Sequence, residues 1–117
     1  MEDINIENKK IPYEDFKKVE MKVGQIISAE KIPDTDKLLK LSVDFAEEVP
    51  RQIVSGIALY FPDVSALVGK KCMFVTNLEP RTIKGFESNG MILAVGEGEN
   101  FSLLEPRQEI LPGSSAR

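Results

Sequence analysis

Residues 37–45, with the sequence KLLKLSVDF, decide the class of fold. From Leu39 onward, apolar and polar side chains alternate with a period of two, which is typical of a half-buried strand. The stretch therefore predicts a sheet that packs one face against a core. The apolar members are Leu39, Leu41, Val43 and Phe45, and the polar members are Lys40, Ser42 and Asp44.

Four further runs rich in β-forming residues surround this strand. Gly24 lies inside the first run and predicts a sharp bend in a long strand. Turn residues separate the runs from one another, so five strands are expected in total. The runs are MKVGQIISAEKI at 21–32, RQIVSGI at 51–57, KKCMFVTNL at 70–78 and GMILAV at 90–95.

Short helices are predicted at Pro12 and over residues 63–68, where Pro62 precedes the segment and Gly69 follows it. Five strands with a helix between the third and the fourth match the oligonucleotide/oligosaccharide-binding barrel (OB-fold), a five-stranded Greek-key barrel. The expected fold class is therefore all-β with short helices. An SH3-like or another small barrel fits the strand count as well.

The length of 117 residues predicts one domain with one core. The polar residues 1–10 show no periodicity and are expected to form an N-terminal arm, which leaves 11–117 as the folded domain. No apolar run approaches the roughly 18 residues that span a bilayer, and the acidic start does not resemble a signal peptide. A cytoplasmic location without membrane contact is expected.

Composition points away from catalysis. The chain contains no histidine and one cysteine, Cys72, which lies in a β-rich run and is predicted to be buried. No nucleotide-binding or metal-binding motif occurs, so neither a cofactor nor a metal is expected. The net charge of −4 argues against polyanion binding by bulk charge. Residues 70–96 nevertheless carry four basic side chains against two acidic ones, Glu79 and Glu87, so a local basic site is predicted.

The stretch NLEPRTIKGFESNGMIL at 77–93 is too polar for a core and is the first candidate binding loop. Arg81 and Lys84 lie three residues apart, where both could reach phosphate oxygens. Asn77 and Ser88 add hydrogen-bonding groups. Met91 offers an apolar surface for a base or sugar, and Phe86 is the best candidate for base stacking. On composition alone, a solvated hairpin loop is the favoured explanation of this stretch.

Four more candidates lie around the second and third predicted strands, a region that OB-fold barrels commonly use for binding. Lys37, Lys40 and Arg51 could complete a basic rim, and Ser55 could donate a hydrogen bond at the barrel mouth. Ordinary exposed strand residues are an equally good explanation for Lys40 and Arg51. Packing at a strand end explains Ser55 equally well.

Five ordered blocks resemble the tRNA-binding domain found at the C-terminus of many bacterial methionyl-tRNA synthetases and in small freestanding proteins. This resemblance implies an OB-fold barrel with N- and C-terminal extensions, usually a homodimer, that recognises tRNA by shape. It also implies Asn77, Arg81, Ser88 and Met91 as tRNA contacts. The blocks are DFKKVEMKVGQI at 15–26, AEKIPDTDKLLKLSVDF at 29–45, RQIVSGI at 51–57, LVGKKCMFVTNLEPRTIKGFESNGMILA at 67–94 and LLEPRQEILPG at 103–113.

The expected function is therefore non-catalytic tRNA binding, by a freestanding module or a methionyl-tRNA synthetase β subunit. SGI at 55–57 and NLEP at 77–80 resemble the synthetase-associated branch of the family more than its chaperone-like branch. Two alternatives stay open: a protein-interaction subunit that docks on a synthetase, and a chaperone-like peptide binder. The segment at 101–113 has too little sequence for its own core, so it is expected to cover the barrel or to meet a second copy. The resemblance implies the second, which makes this segment a C-terminal dimerisation extension of the domain at 11–117.

Overall fold

The computed structural model describes residues 9–117, and the arm expected over residues 1–10 falls mostly outside them. Helix α1 spans Tyr13–Phe16, and two short 3-10 helices span Ala58–Tyr60 and Val64–Leu67. No helix of this part of the chain is long and apolar enough to cross a membrane. The strands are β1 (Met21–Lys31), β2 (Leu39–Asp44), β3 (Arg51–Ser55), β4 (Lys71–Val75), β5 (Arg81–Ile83), β6 (Phe86–Ser88), β7 (Met91–Ile92), β8 (Ala94–Glu97) and β9 (Asn100–Leu103).

The main sheet is antiparallel, with the strand order β3-β2-β1-β4-β7. The long β1 pairs with β4 along its first half and with β2 along its second half. Opposite β1, the backbone N–H of Asn89 donates to the carbonyl of Gln52 over 2.8 Å, which brings the segment between β6 and β7 against β3. The sheet thereby curls into a nearly closed five-stranded barrel, and the predicted OB-fold class is confirmed.

The core lies inside this barrel, and the alternation predicted from KLLKLSVDF is confirmed. Leu39, Leu41 and Val43 are almost completely buried, while their polar neighbours along β2 are half-buried. Phe45 continues the apolar face beyond the strand and packs edge-on against Phe74, with ring centroids 5.2 Å apart.

Packing explains Gly24 better than the predicted bend does. A Cβ atom at Gly24 would lie 2.5 Å from Cε1 of Phe45, which is far too close for van der Waals contact. The irregularity in the β1–β2 register falls further along, between Ile26 and Ser28. The glycine is thus needed because the core fills the space beside β1.

The C-terminal segment lines the first half of β1, where β2 does not pair. Val23 donates its backbone N–H to the carbonyl of Ser114 over 2.9 Å, and the N–H of Gly113 donates to Val23 over 2.7 Å. Ala116 donates to Met21 over 2.8 Å. Residues 113–116 therefore cover an edge of the barrel. Contact of the preceding segment, 101–113, with a second copy stays a prediction.

The predicted helices are single turns. Pro12 is the N-cap of α1, so the helix begins one residue later than the sequence predicts. At the start of the second 3-10 helix, the Asp63 side chain accepts the backbone N–H of Ser65.

Cys72 is fully buried in β4, and this burial raises the pKa of its thiol to about 12. A thiol with such a pKa is a packing residue rather than a nucleophile.

Candidate nucleic-acid interface

The candidate loop contains a two-stranded hairpin, formed by β5 and β6, which we call the basic hairpin (residues 81–88). Lys84 and Gly85 connect its strands with φ angles of 53° and 86°. Two successive positive φ angles are the signature of the tight turns that match strand twist. The turn places Lys84 at the tip and Arg81 at the start of the first strand, and both side chains are exposed. Neither forms an ion pair with any residue from 9 to 117.

The basic hairpin packs against the barrel through Phe86. The Lys40 ammonium lies 4.8 Å from the centroid of the Phe86 ring, a distance that suits a cation–π contact. The same ammonium lies 3.6 Å from a carboxylate oxygen of Glu30. The structure therefore brings Lys40 and Phe86 together, but it covers part of the ring that was predicted to stack on a base.

Asn77 and Ser88 already have partners within the fold. Asn77 accepts the backbone N–H of Glu20 over 2.8 Å and donates its amide to the carbonyl of Lys18 over 2.6 Å. Ser88 is only 5% exposed, and its hydroxyl accepts the N–H of Val54 over 2.9 Å. These two side chains therefore anchor the first and last residues of the segment 77–88 to the barrel.

Arg51 is held even more tightly. Its Nε and one terminal nitrogen donate to the two carboxylate oxygens of Glu47 over 2.9 and 2.8 Å, and its other terminal nitrogen donates to the carbonyl of Thr76 over 2.6 Å. The guanidinium lies 5.3 Å from the centroid of the Phe45 ring. The bonds to Glu47 raise the pKa of Arg51, and they lower the pKa of Glu47. The structure gives Arg51 internal partners instead of the free position on a basic rim that the sequence suggested.

Two depressions lie side by side on the outer surface of the barrel, and Glu87 of the basic hairpin lines one of them. They share Pro50, Arg51 and Gln52 at their common border. The remaining lining residues are Glu47, Val49, Glu87 and Asn89 in one depression, and Ser28, Lys40, Leu41 and Ser42 in the other.

Comparison with known proteins identifies the family. A family model described as "Putative tRNA binding domain" matches residues 21–115. The chain belongs to this tRNA-binding domain family. The methionine–tRNA ligase of Methanospirillum hungatei is 53% identical over 107 residues, which are 92% of this chain and 16% of the ligase. The chain therefore spans about one sixth of the length of such relatives.

Solved structures support the same assignment of this tRNA-binding domain. A MetRS-related protein from Pyrococcus horikoshii superposes with a TM-score of 0.83 at 40% identity, covering 93% of this chain and 99% of the other. The chaperone CsaA of Bacillus anthracis superposes with a TM-score of 0.80 at 27% identity, covering 92% and 99%. The resemblance drawn from the sequence is confirmed.

The other candidates lie apart from the tip of this tRNA-binding domain's hairpin. Lys37 is exposed, and its backbone carbonyl accepts the N–H of Ala58 over 2.9 Å. Ser55 is half-buried opposite Leu39, at the end of β3. Met91 is exposed in β7, where it pairs with Val75 of β4, three residues after the end of β6. Contact of these side chains with RNA stays a prediction.

Sequence reasoning missed Gln52 and Asn89. Gln52 donates its side-chain amide to the carbonyl of Glu87 over 2.9 Å, and its own carbonyl accepts the N–H of Asn89. Both residues thus join the hairpin to β3. No local signal marks them, because Asn89 resembles an ordinary turn residue and Gln52 meets its partner only when the barrel closes.

The surface offers positive charge and hydrogen-bonding groups rather than reactive ones. Among residues 9–117, no group of three or more Cys, Asp or Glu side chains is placed to hold a metal ion. Arg81 and Lys84 of the basic hairpin are exposed and form no ion pair within the described chain, a property that they share with Lys31 and Lys37 elsewhere on the surface.

Proposed function

We propose that this chain binds folded tRNA without catalysing a reaction, and that the basic hairpin is its principal contact. One observation carries the proposal: Arg81 and Lys84 are exposed and make no ion pair with residues 9–117, while both ends of their segment are hydrogen-bonded to the barrel. A rigid loop that carries free cations suits phosphates at defined positions.

Recognition by shape and backbone is favoured over the reading of single-stranded bases. Stacking needs free aromatic faces. Outside residues 11–19, where Tyr13 and Phe16 are exposed, Phe86 lies beneath Lys40, and the ring of Tyr60 stacks on Phe101 with centroids 3.7 Å apart. Phe61 also packs edge-on against Phe101. Phosphate and 2′-hydroxyl contacts are the usual means of recognising folded RNA.

The chain is further proposed to serve methionyl-tRNA synthetase, as a freestanding module or as a β subunit, in the cytoplasm. Its identity is 53% to a methionine–tRNA ligase and 40% to a MetRS-related protein, against 27% to a chaperone CsaA. This order supports the synthetase-associated role over the chaperone-like one.

A homodimer is proposed because no residue from 9 to 117 covers an apolar surface near the start of the described chain. Ile11, Tyr13, Phe16 and Val19 form this terminal surface, and each is between 42% and 69% exposed. An apolar cleft continues from it to Ala116 in the tail. A second copy would remove this area from water and place two basic hairpins on one particle, which raises apparent affinity for a large RNA.

The test compares folded tRNA with a length-matched unstructured RNA over a series of salt concentrations. The Arg81→Ala/Lys84→Ala variant should bind tRNA about ten- to a hundredfold more weakly, with a salt slope lower by about two. Arg107→Ala is the control for loss of a positive charge outside the basic hairpin, since Arg107 is an exposed residue of the C-terminal segment. Wild-type affinity in the double variant would refute the proposed contact.

Peptide binding is the second candidate, and the terminal surface together with the CsaA superposition favours it. Binding of an unfolded polypeptide that is abolished by Phe16→Asp, with no binding of tRNA, would replace the first proposal. Docking on a synthetase is the remaining alternative. Co-purification with the synthetase that survives loss of Arg81 and Lys84, again without tRNA binding, would support it.

A further inference from the structure

The Arg51 side chain bonds to both ends of the segment that carries the basic hairpin. The same terminal nitrogen donates to the carbonyl of Thr76 over 2.6 Å and reaches the carbonyl of Asn89 over 3.5 Å. Thr76 lies immediately before the segment 77–88, and Asn89 lies immediately after it. The guanidinium therefore bridges the two points where this segment leaves the barrel.

Little of the guanidinium is left for an RNA phosphate. An arginine has five N–H groups, and the contacts to Glu47, Thr76 and Asn89 use four of them. The side chain is only 17% exposed, and one face of the guanidinium lies over Phe45. A phosphate could gain bidentate contact only by displacing Glu47 or the two carbonyls.

Glu47 completes the arrangement from the opposite side. Its carboxylate takes two parallel N–H bonds from Arg51, the geometry that fixes a guanidinium most firmly in position. While both carboxylate oxygens of Glu47 accept from Arg51, the other terminal nitrogen of Arg51 faces the carbonyls of Thr76 and Asn89. The pair therefore converts a flexible side chain into a fixed support.

We propose that Glu47 and Arg51 form a clamp that holds the basic hairpin in the position where Arg81 and Lys84 meet tRNA, and that Arg51 does not itself contact the RNA. This inference rests on the proposed tRNA-binding function. Arg51 is thus a positioning residue whose effect on binding passes through the two hairpin cations.

Removal of Glu47 distinguishes a clamp from a phosphate contact by the sign of its effect. If Arg51 contacted phosphate, Glu47→Ala would release a competing carboxylate and remove one negative charge, so tRNA would bind more tightly. If Arg51 is a clamp, the same change frees the guanidinium and loosens the hairpin, so tRNA binds more weakly.

Glu48→Ala is the matched control. Glu48 lies next to Glu47 in the β2–β3 connection, is exposed, and forms no ion pair with residues 9–117. Both variants remove the same charge from the same loop. We expect Glu47→Ala to bind tRNA about three- to tenfold more weakly than Glu48→Ala, a difference that corresponds to about 1 kcal/mol. Equal or tighter binding by Glu47→Ala would overturn the clamp.

Arg51→Lys tests the fork geometry at constant charge. A lysine ammonium cannot bind Glu47 bidentately and reach Thr76 at the same time, so this variant should weaken binding as much as Glu47→Ala. The double variant Glu47→Ala/Arg51→Lys should bind tRNA no more weakly than either single variant, because both changes break the same ion pair. Near wild-type binding by Arg51→Lys, or additive losses in the double variant, would contradict the proposal.

Hydrogen exchange of the free protein separates failure of the clamp from failure of the proposed function. Backbone amides of the basic hairpin should exchange faster in Glu47→Ala than in Glu48→Ala, with thermal melts confirming that both variants are folded. If wild type binds no tRNA, the proposed function fails while exchange still decides the clamp. If wild type binds tRNA but exchange is identical in the two variants, the clamp fails alone.

Discussion

The basic hairpin and the terminal surface differ in whether their side chains find partners within one chain. Around the hairpin, Arg51, Asn77 and Ser88 all find hydrogen-bond partners inside the same chain. At the terminal surface, side chains such as Tyr13 and Phe16 remain largely exposed. The first region is complete in a single copy, whereas the second has the composition of an interface.

The contrast follows from the forces involved. A hydrogen bond is directional and must be completed over a short distance, so the polar loop is held by specific contacts to named atoms. The free energy gained by removing apolar surface from water depends on its area and not on which molecule covers it. A second molecule can therefore cover the terminal surface as well as the same chain could. We expect changes in the terminal surface to alter assembly and changes around the hairpin to alter stability and tRNA contact.

The largest effect is expected from Phe16→Asp in the terminal surface. A carboxylate placed in a dimer interface would be desolvated without a partner, so the protein should become a monomer. Affinity for tRNA should fall about tenfold or more, because two linked hairpins become one. Light scattering coupled to gel filtration measures the mass, and tRNA titration measures the affinity.

Leu59→Asp is the control for that change, since Leu59 is 65% exposed but lies in a 3-10 helix outside the terminal surface. It should leave the mass unchanged. A wild-type protein that is a monomer, or a Phe16→Asp variant that stays a dimer, would contradict the claim that the terminal surface is a dimer interface.

The next largest effect is expected from Gly90→Ala beside the hairpin. Gly90 has a φ of 139°, and a Cβ atom there would lie 3.0 Å from Cδ1 of Ile53 and 3.2 Å from the carbonyl oxygen of Val75. The backbone strain and crowding together should lower the free energy of unfolding by about 2 kcal/mol. Chemical denaturation measures this loss.

Gly56→Ala is the matched control, because a Cβ atom at Gly56 meets nothing within 4 Å and its φ lies outside the left-handed region. Its unfolding free energy should stay within about 0.5 kcal/mol of wild type or rise. Equal stability of the two variants would show that the loop tolerates movement at its return to the barrel.

A smaller effect on binding is expected from Lys84→Asn at the hairpin tip. Lys84 has a φ of 53°, and asparagine tolerates this conformation better than most residues, so the turn should keep its stability. The loss of one charge should weaken tRNA binding about threefold and lower the salt slope by about one. An unchanged salt slope with unchanged stability would mean that Lys84 does not meet a phosphate.

The smallest effect is expected in acid. Hydrogen bonds from Arg51 lower the pKa of Glu47, so the stabilisation is complete above the ordinary glutamate pKa and is lost as the pH falls through the lowered value. The difference in unfolding free energy between wild type and Glu47→Gln should therefore shrink below that ordinary value. A difference that stays constant down to the lowest pH at which the protein folds would contradict this linkage.

Much of the barrel could be predicted, because burial along a strand leaves a local pattern. The alternation of apolar and polar residues alone shows that Leu39, Leu41 and Val43 lie on the same face of β2. Cys72 was predicted to be buried for a similar reason, since it sits within an apolar run. The Lys84-Gly85 turn is harder to predict, because a lysine rarely adopts a positive φ. The sequence alone therefore does not divide the loop into the strands β5 and β6.

Residue type predicts a local basic segment, but it cannot tell which polar groups of that segment are free. Arg51, Asn77 and Ser88 resemble Arg81 in being polar residues near the predicted binding region. Their partners lie 25 to 59 residues away along the chain, at Thr76 for Arg51, Lys18 for Asn77 and Val54 for Ser88. Contacts over such separations leave no periodicity in the sequence.

Local patterning is thus enough to predict the five-stranded barrel and the net positive charge of residues 70–96, but not the two added hairpins, β5–β6 and β8–β9. Only the folded chain separates cations that stay available to a ligand from polar groups that hold the loop. The physical reason is that burial follows a residue's position along one strand, whereas hydrogen-bond satisfaction depends on which distant segments the barrel brings together.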